Sequence, residues 1–139
     1  MWPLTFGNCA GVVSLLFDTD VVIWVLRGNA KAARVNDAEP DRSMSIVTYM
    51  ELVQGARSRQ ELRQIKGFLS DAGFQVLPLS DGIGHRASIY IEEYGLGTAP
   101  GVADALIAAT AVEHNDRLCT GNHRHYSPIK ELVTKVFRP

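Results

Sequence analysis

The chain reads as a single α/β domain, because short apolar or β-branched runs alternate along it with longer segments of helical period. Its size agrees, since 139 residues can bury roughly two-thirds of the surface exposed on unfolding, enough for one core without disulfides or a structural metal. Composition agrees as well: 46% hydrophobic and 21% charged residues at a net charge of −1 exclude a disordered or collagen-like chain. No repeat, linker or low-complexity tract interrupts the pattern.

Strands are expected at 12–17, 43–47, 74–77, 117–120 and 134–137, the first two buried. Leu62, Ile65, Leu69 and Ala72 recur at three- and four-residue steps, as do Ile83, Ala87, Tyr90, Ile91 and Tyr94. Each set marks an amphipathic helix with one core-facing stripe. The segment 104–115 is apolar on nearly every side, through Ala105, Leu106, Ile107, Ala108, Ala109, Ala111 and Val112, so its helix should be central, with alanines that permit close approach. The loop 96–101, with Gly97, Pro100 and Gly101, sets that helix up. Residues 1–14 show no period and are expected to form a loose extension ahead of one domain at 15–139.

A near-neutral chain does not coat nucleic acid through a general positive field, so any phosphate binding must be local. Cys9 and Cys119 sit among apolar or small neighbours, which fits a reducing compartment and a cytoplasmic protein. The apolar run at 12–17 is too short to span a bilayer, and residues 1–10 lack the Lys or Arg of a secretory signal.

Three carboxylates fall at strand-to-helix junctions. Asp18 follows the apolar Leu15, Leu16 and Phe17, Glu51 lies one turn into the helix after the second strand, and Asp104 opens the apolar helix. In a parallel sheet the carboxyl ends of the strands share one edge, where ligands bind at the switch point of the strand order, so acids distant in sequence can converge. Each also has a plain structural role open to it. Asp is a preferred N-cap, and Thr48 with Glu51 reads as a capping box, repeated at Ser58 with Glu61. Were all three acids to share a cleft, each close pair would repel by about 4 kcal/mol at 4 Å and an effective dielectric near 20. A divalent cation relieves that repulsion, and oxygen-only ligands favour Mg²⁺ or Mn²⁺ over zinc. His123 and His125 with Cys119 match no common zinc spacing.

Four blocks in order, FDTDVVI at 17–23, SIVTYMELVQGA at 45–56, DALIAATA at 104–111 and TGNHRHY at 120–126, resemble the signature blocks of VapC-like PIN-domain toxins, and the likeness runs over about residues 15 to 137. The resemblance implies a PIN-like three-layer α/β/α sandwich around a mostly parallel twisted sheet of about five strands. It also implies a Mg²⁺-dependent endoribonuclease, commonly a homodimer, neutralised by a cognate VapB-type antitoxin that lays a helix near the cleft and sets an Arg against the acids. Asp18, Glu51 and Asp104 match the family's acidic triad, as catalytic residues and metal ligands, and Thr19 and Thr120 match polar positions beside the metal. Asn122 stands where the family often has a fourth acid and brings no charge to a second metal. The stretch before Leu15 also departs from the family, whose chains commonly begin almost at the first strand; it implies an upstream start assignment or added residues, which mass spectrometry of the native N-terminal peptide would show.

RNA is expected to be guided by cations, Arg27, Arg57, Arg59 and Arg124 among them. Residues 27 to 66, which also hold Lys31, Arg34, Arg42, Arg63 and Lys66, carry a net +3, although a solvated helix face laced with ion pairs has the same look. An exposed single strand suits such a cleft better than a duplex. Two rivals stand beside the nuclease. The pair Asp18 and Asp20 after an apolar strand is similar to the opening motif of haloacid-dehalogenase-like phosphatases, with Asp18 as nucleophile and Asp20 as acid/base. In that reading Asp20→Asn abolishes phosphomonoester hydrolysis, whereas a nuclease should tolerate it. The other rival is a non-catalytic binding module whose acids are only caps.

Overall fold

The computed structural model describes residues 14–97 and 99–139. Five strands, β1 (Leu15–Phe17), β2 (Arg42–Ser45), β3 (Gln75–Leu77), β4 (Arg117–Thr120) and β5 (Thr134–Val136), form one sheet in the order β3-β2-β1-β4-β5. Every pairing is parallel, with Leu16 opposite Ser43 on one side and Leu118 on the other. Between the strands run α1 (Thr19–Leu26), α2 (Ala30–Ala38), α3 (Ile46–Gln54), α4 (Arg59–Asp71), α5 (Asp81–Tyr94), α6 (Val102–Glu113) and the short α7 (His123–Tyr126).

Strand alternation splits the core into two layers. Leu16, Leu77 and Leu118 point to one face, where they meet Ile83, Ala87 and Tyr90 of α5 and the small side chains of α6. Leu15, Phe17, Met44, Val76 and Cys119 point to the other, against Val21, Val22 and Val25 of α1 and Ile65 and Leu69 of α4. Helix α3 serves both layers, through Val47 and Leu52 respectively. The three-layer arrangement is the one the resemblance implies, and α6 is central as expected, with Ala105, Ile107, Ala108, Ala109 and Ala111 fully buried.

Several boundaries differ from the sequence reading. The second strand stops at Ser45, not residue 47, because the Ser45 hydroxyl accepts from Val47 N at 3.0 Å and caps α3. Thr48 therefore lies inside the helix, buried, and does not form a capping box with Glu51. Asp104 is not a cap either, since α6 starts two residues earlier with Gly101 as N-cap. Ser58 does cap α4, its hydroxyl accepting from Glu61 N at 3.1 Å. Residues 1–13, which include part of the first expected strand and nearly all of the expected extension, lie outside the described residues. Ser14 is buried, and its carbonyl accepts from Arg117 N. No described helix is long and apolar enough to cross a membrane.

Candidate active site

The chain runs from β1 to its neighbour β2 and on to β3, then crosses back to place β4 on the other side of β1. The strand order thus reverses between β1 and β4, the switch point at whose carboxyl-end crevice such sheets bind ligands. Asp18 follows β1 at that point. Its backbone N–H donates to Cys119 O at 2.9 Å, continuing the ladder one residue past the strand. Its Oδ1 caps α1 by accepting from Thr19 N at 2.8 Å, and its Oδ2 accepts from Thr120 Oγ1, at the end of β4, at 2.7 Å. The side chain is 4% exposed. Burial pushes its carboxyl up to about 6, the charge of Asp20 adds to that, and hydrogen bonds from Thr120, Thr19 and Tyr126 oppose it. Asp18 thus caps α1 and lies at the switch point of the strand order at once.

Asp104, in the first turn of α6, faces the same crevice. Tyr126 Oη donates to its Oδ1 at 3.2 Å, and His125 Nδ1 lies 3.4 Å from its Oδ2. Tyr126 also acts electrostatically on Asp18, so one buried hydroxyl is coupled to both Asp104 and Asp18. Burial and these two carboxylates push the phenol far up, so it stays a donor. Asp20 joins the group: its carboxyl is raised chiefly by burial, against hydrogen bonds led by Gly121 N–H, with a further upward push from Asp104.

Glu51 is brought to the rim rather than the centre. It is exposed on α3 and accepts from Thr19 Oγ1 at 2.6 Å, while Thr19 Oγ1 also lies 3.1 Å from Thr48 Oγ1. Thr19 thereby connects the Asp18 cap to the Glu51 carboxylate. Asn122 is exposed, and its backbone N–H, not its side chain, is what Thr120 Oγ1 holds at 2.9 Å.

The cations are dispersed. Arg27 sits at the far end of α1 from Asp18, against the Trp24 ring at 5.9 Å. Arg57 pairs with Glu61 at 3.3 Å, and Arg42 is spent on the backbone carbonyls of Asn36 and Ala72. Arg59 and Arg124 are exposed. Cys119 is buried, its thiol pushed up to about 11 by burial, while His123 and His125 are exposed. Sequence reasoning missed Tyr126 because a four-residue helix shows no period. The one available signal was its place in the last block, one turn beyond Asn122.

Among the described residues, no three Asp, Glu, His or Cys side chains stand together as a ready-made metal cage. Mg²⁺ seldom uses one, because it keeps several waters and binds through one or two carboxylates. The donor set suits such an ion: oxygen ligands only, a buried Asp18 carboxylate, and Asp20 Oδ1, which is buried without a hydrogen-bond partner.

The PIN-domain family model matches residues 15–130. The chain is 35% identical over 123 residues to Ribonuclease VapC10 of Mycobacterium tuberculosis, covering 85% of this chain and 90% of that protein. Among solved structures it is similar to the toxin-antitoxin complex from Klebsiella pneumoniae, at 28% identity and TM-score 0.73, over 89% of this chain and 99% of the other. It is also similar to VapBC-1 from nontypeable Haemophilus influenzae, at 26% identity and TM-score 0.75, over 89% and 98% of the two chains. Sequence, sheet order and the acids at the switch point thus agree that this chain belongs to the PIN-domain family, among its VapC-like toxins.

Proposed function

We propose that this protein is an endoribonuclease toxin that hydrolyses RNA phosphodiester bonds with Mg²⁺, or Mn²⁺ in its place, and is held inactive by a VapB-type antitoxin. The observation that carries the reading is Asp18: a buried carboxylate at the switch point of a PIN sheet, with Asp20 and Asp104 acting on the same crevice. Similarity to Ribonuclease VapC10 supports the substrate class, and similarity to proteins solved as toxin-antitoxin complexes supports the partner. These relatives favour the nuclease over the phosphatase and over a module without activity. A homodimer, as the resemblance implies, belongs to the same reading.

Asp18 and Asp104 would hold the ion directly, with Glu51 direct or one water removed. Such an ion lowers the pKa of a bound water and neutralises charge on the phosphoryl oxygens. The protein contributes placement. Thr120 and the Thr19 backbone fix Asp18, Tyr126 fixes Asp104, and Thr19 Oγ1 aims Glu51 at the rim. His125, next to Asp104 and half exposed, stands where an RNA phosphate would enter. Exposed Arg59 and Arg124 supply local positive charge for the strand.

The test is cleavage of single-stranded RNA by antitoxin-free protein at several Mg²⁺ and Mn²⁺ concentrations, with and without EDTA. Cleavage should require the metal and should fall by at least about a hundredfold in Asp18→Asn, since outer partners of a metal ligand alone are worth about 10- to 100-fold. Activity that persists in EDTA, or in Asp18→Asn, would overturn the reading.

A further inference from the structure

Resting on the metal-dependent nuclease reading, we propose that Asp20 is a working carboxylate of this centre, locked by Gly121 and directed at the bound cation. By sequence alone, a nuclease should tolerate its loss; the geometry argues the reverse.

Asp20 is the second residue of α1, and its Oδ2 accepts from Gly121 N, just past β4, at 2.9 Å. That bond ties the two walls of the crevice together across 101 residues of chain. Gly121 is there for the approach: a Cβ at that position would lie 2.6 Å from the same Oδ2. With Oδ2 committed, Oδ1 is left buried with no hydrogen-bond partner.

A buried carboxylate oxygen without a donor is costly. Its charged neighbours make the position worse, since Asp20 acts on Asp18 and Asp104 acts on Asp20. A divalent cation, or a water on it, turns both repulsions into attraction, and Oδ1 is the atom free to take part. Asn122, exposed and neutral, brings no charge to this edge of the crevice, whereas Asp20 does. Asp18 is the N-cap of α1, and the first-turn N–H groups of Asp20 and Val21 act on the Asp20 carboxyl without satisfying Oδ1.

The experiment is titration calorimetry of the full chain with Mn²⁺ and no RNA, for wild type, Asp18→Asn, Asp20→Asn and Gly121→Ala, each checked by thermal melting. Asp20→Asn keeps an oxygen for the Gly121 N–H but loses the charge. It should melt no lower than wild type and bind Mn²⁺ about 10- to 100-fold more weakly, with cleavage recovering as Mn²⁺ is raised. Gly121→Ala displaces the carboxylate without removing it and should weaken Mn²⁺ in the same direction, so the proposal stays open to test even if one variant fails to fold. Wild-type Mn²⁺ affinity in Asp20→Asn and Gly121→Ala, with binding lost in Asp18→Asn, would sink the role of Asp20 and leave the nuclease standing. Absence of Mn²⁺ binding by the wild type, together with cleavage insensitive to EDTA, would overturn both.

Discussion

At the scale of single residues, Tyr126 shows how a core side chain also serves the site. Its ring is buried with Ile129 and Leu132 against α6, while its hydroxyl donates to Asp104. Tyr126→Phe keeps the packing and removes the donor. Cleavage should fall by about 10- to 100-fold, with melting little changed, as steady-state kinetics and a thermal melt will show.

Asp116 behaves differently. It precedes β4, at the sheet edge opposite Asp18, is 8% exposed, and has its carboxyl pushed up to about 6 by burial, against a hydrogen bond from Ser43 and with Glu39 and Asp41 adding to the rise. The folded chain therefore holds this proton at pH values where the unfolded chain, with an ordinary carboxyl at 3.8, has released it. Stability present at low pH is lost as pH rises from about 4 to about 6. Asp116→Asn removes that loss: it should stabilise by up to about 3 kcal/mol at pH 7, do nothing at pH 3, and leave cleavage unchanged. Denaturant melts at the two pH values measure it.

Between elements, the link that matters is α1 to α3. Thr19 Oγ1 joins the Asp18 cap to Glu51, and Glu51 is exposed, so no packing fixes its carboxylate otherwise. Thr19→Val preserves shape and breaks the link. It should cost at most about 1 kcal/mol of stability, as for one exposed hydrogen bond, yet lower cleavage by about tenfold; a larger thermal effect than kinetic effect would assign Thr19 to the fold alone. On the far side, α5 is joined to α6 and to the segment before β5 by Arg86, which bonds Glu113 and Glu131 at 2.7 Å, while Tyr90 bonds Glu131. Among the described residues that network shares no hydrogen bond with Asp18, Asp20, Glu51 or Asp104.

Across the whole molecule, two apolar layers grip a sheet whose central strands, β1 and β4, also hold the crevice. Leu118 is fully buried beneath α5 and α6, two residues before Thr120. Leu118→Ala should destabilise by about 2–5 kcal/mol, a large part of the roughly 5–15 kcal/mol that a domain has. Half-buried Leu106, changed likewise to Ala, should cost less; comparing their denaturant midpoints decides whether the sheet centre is the tighter packing.

Periodicity alone revealed the α/β class, the stripes of α4 and α5 and the central α6, because burial imposes the 2.0 and 3.6 spacing on the residues themselves. It also revealed Asp18, directly after an apolar run, and Asp104, directly before one, although Asp104 follows α5 and a loop and so does not stand at the strand-to-helix junction expected of it. It misplaced the start of α3, because Ile46 and Val47 suit a strand by propensity while a single Ser45 hydroxyl turns the chain into a helix. Only the tertiary structure brought Tyr126 to Asp104, Gly121 to Asp20 and Thr120 to Asp18. Those pairs are 22 to 102 residues apart along the chain, and they meet through the order of strands in the sheet, which no local spacing encodes.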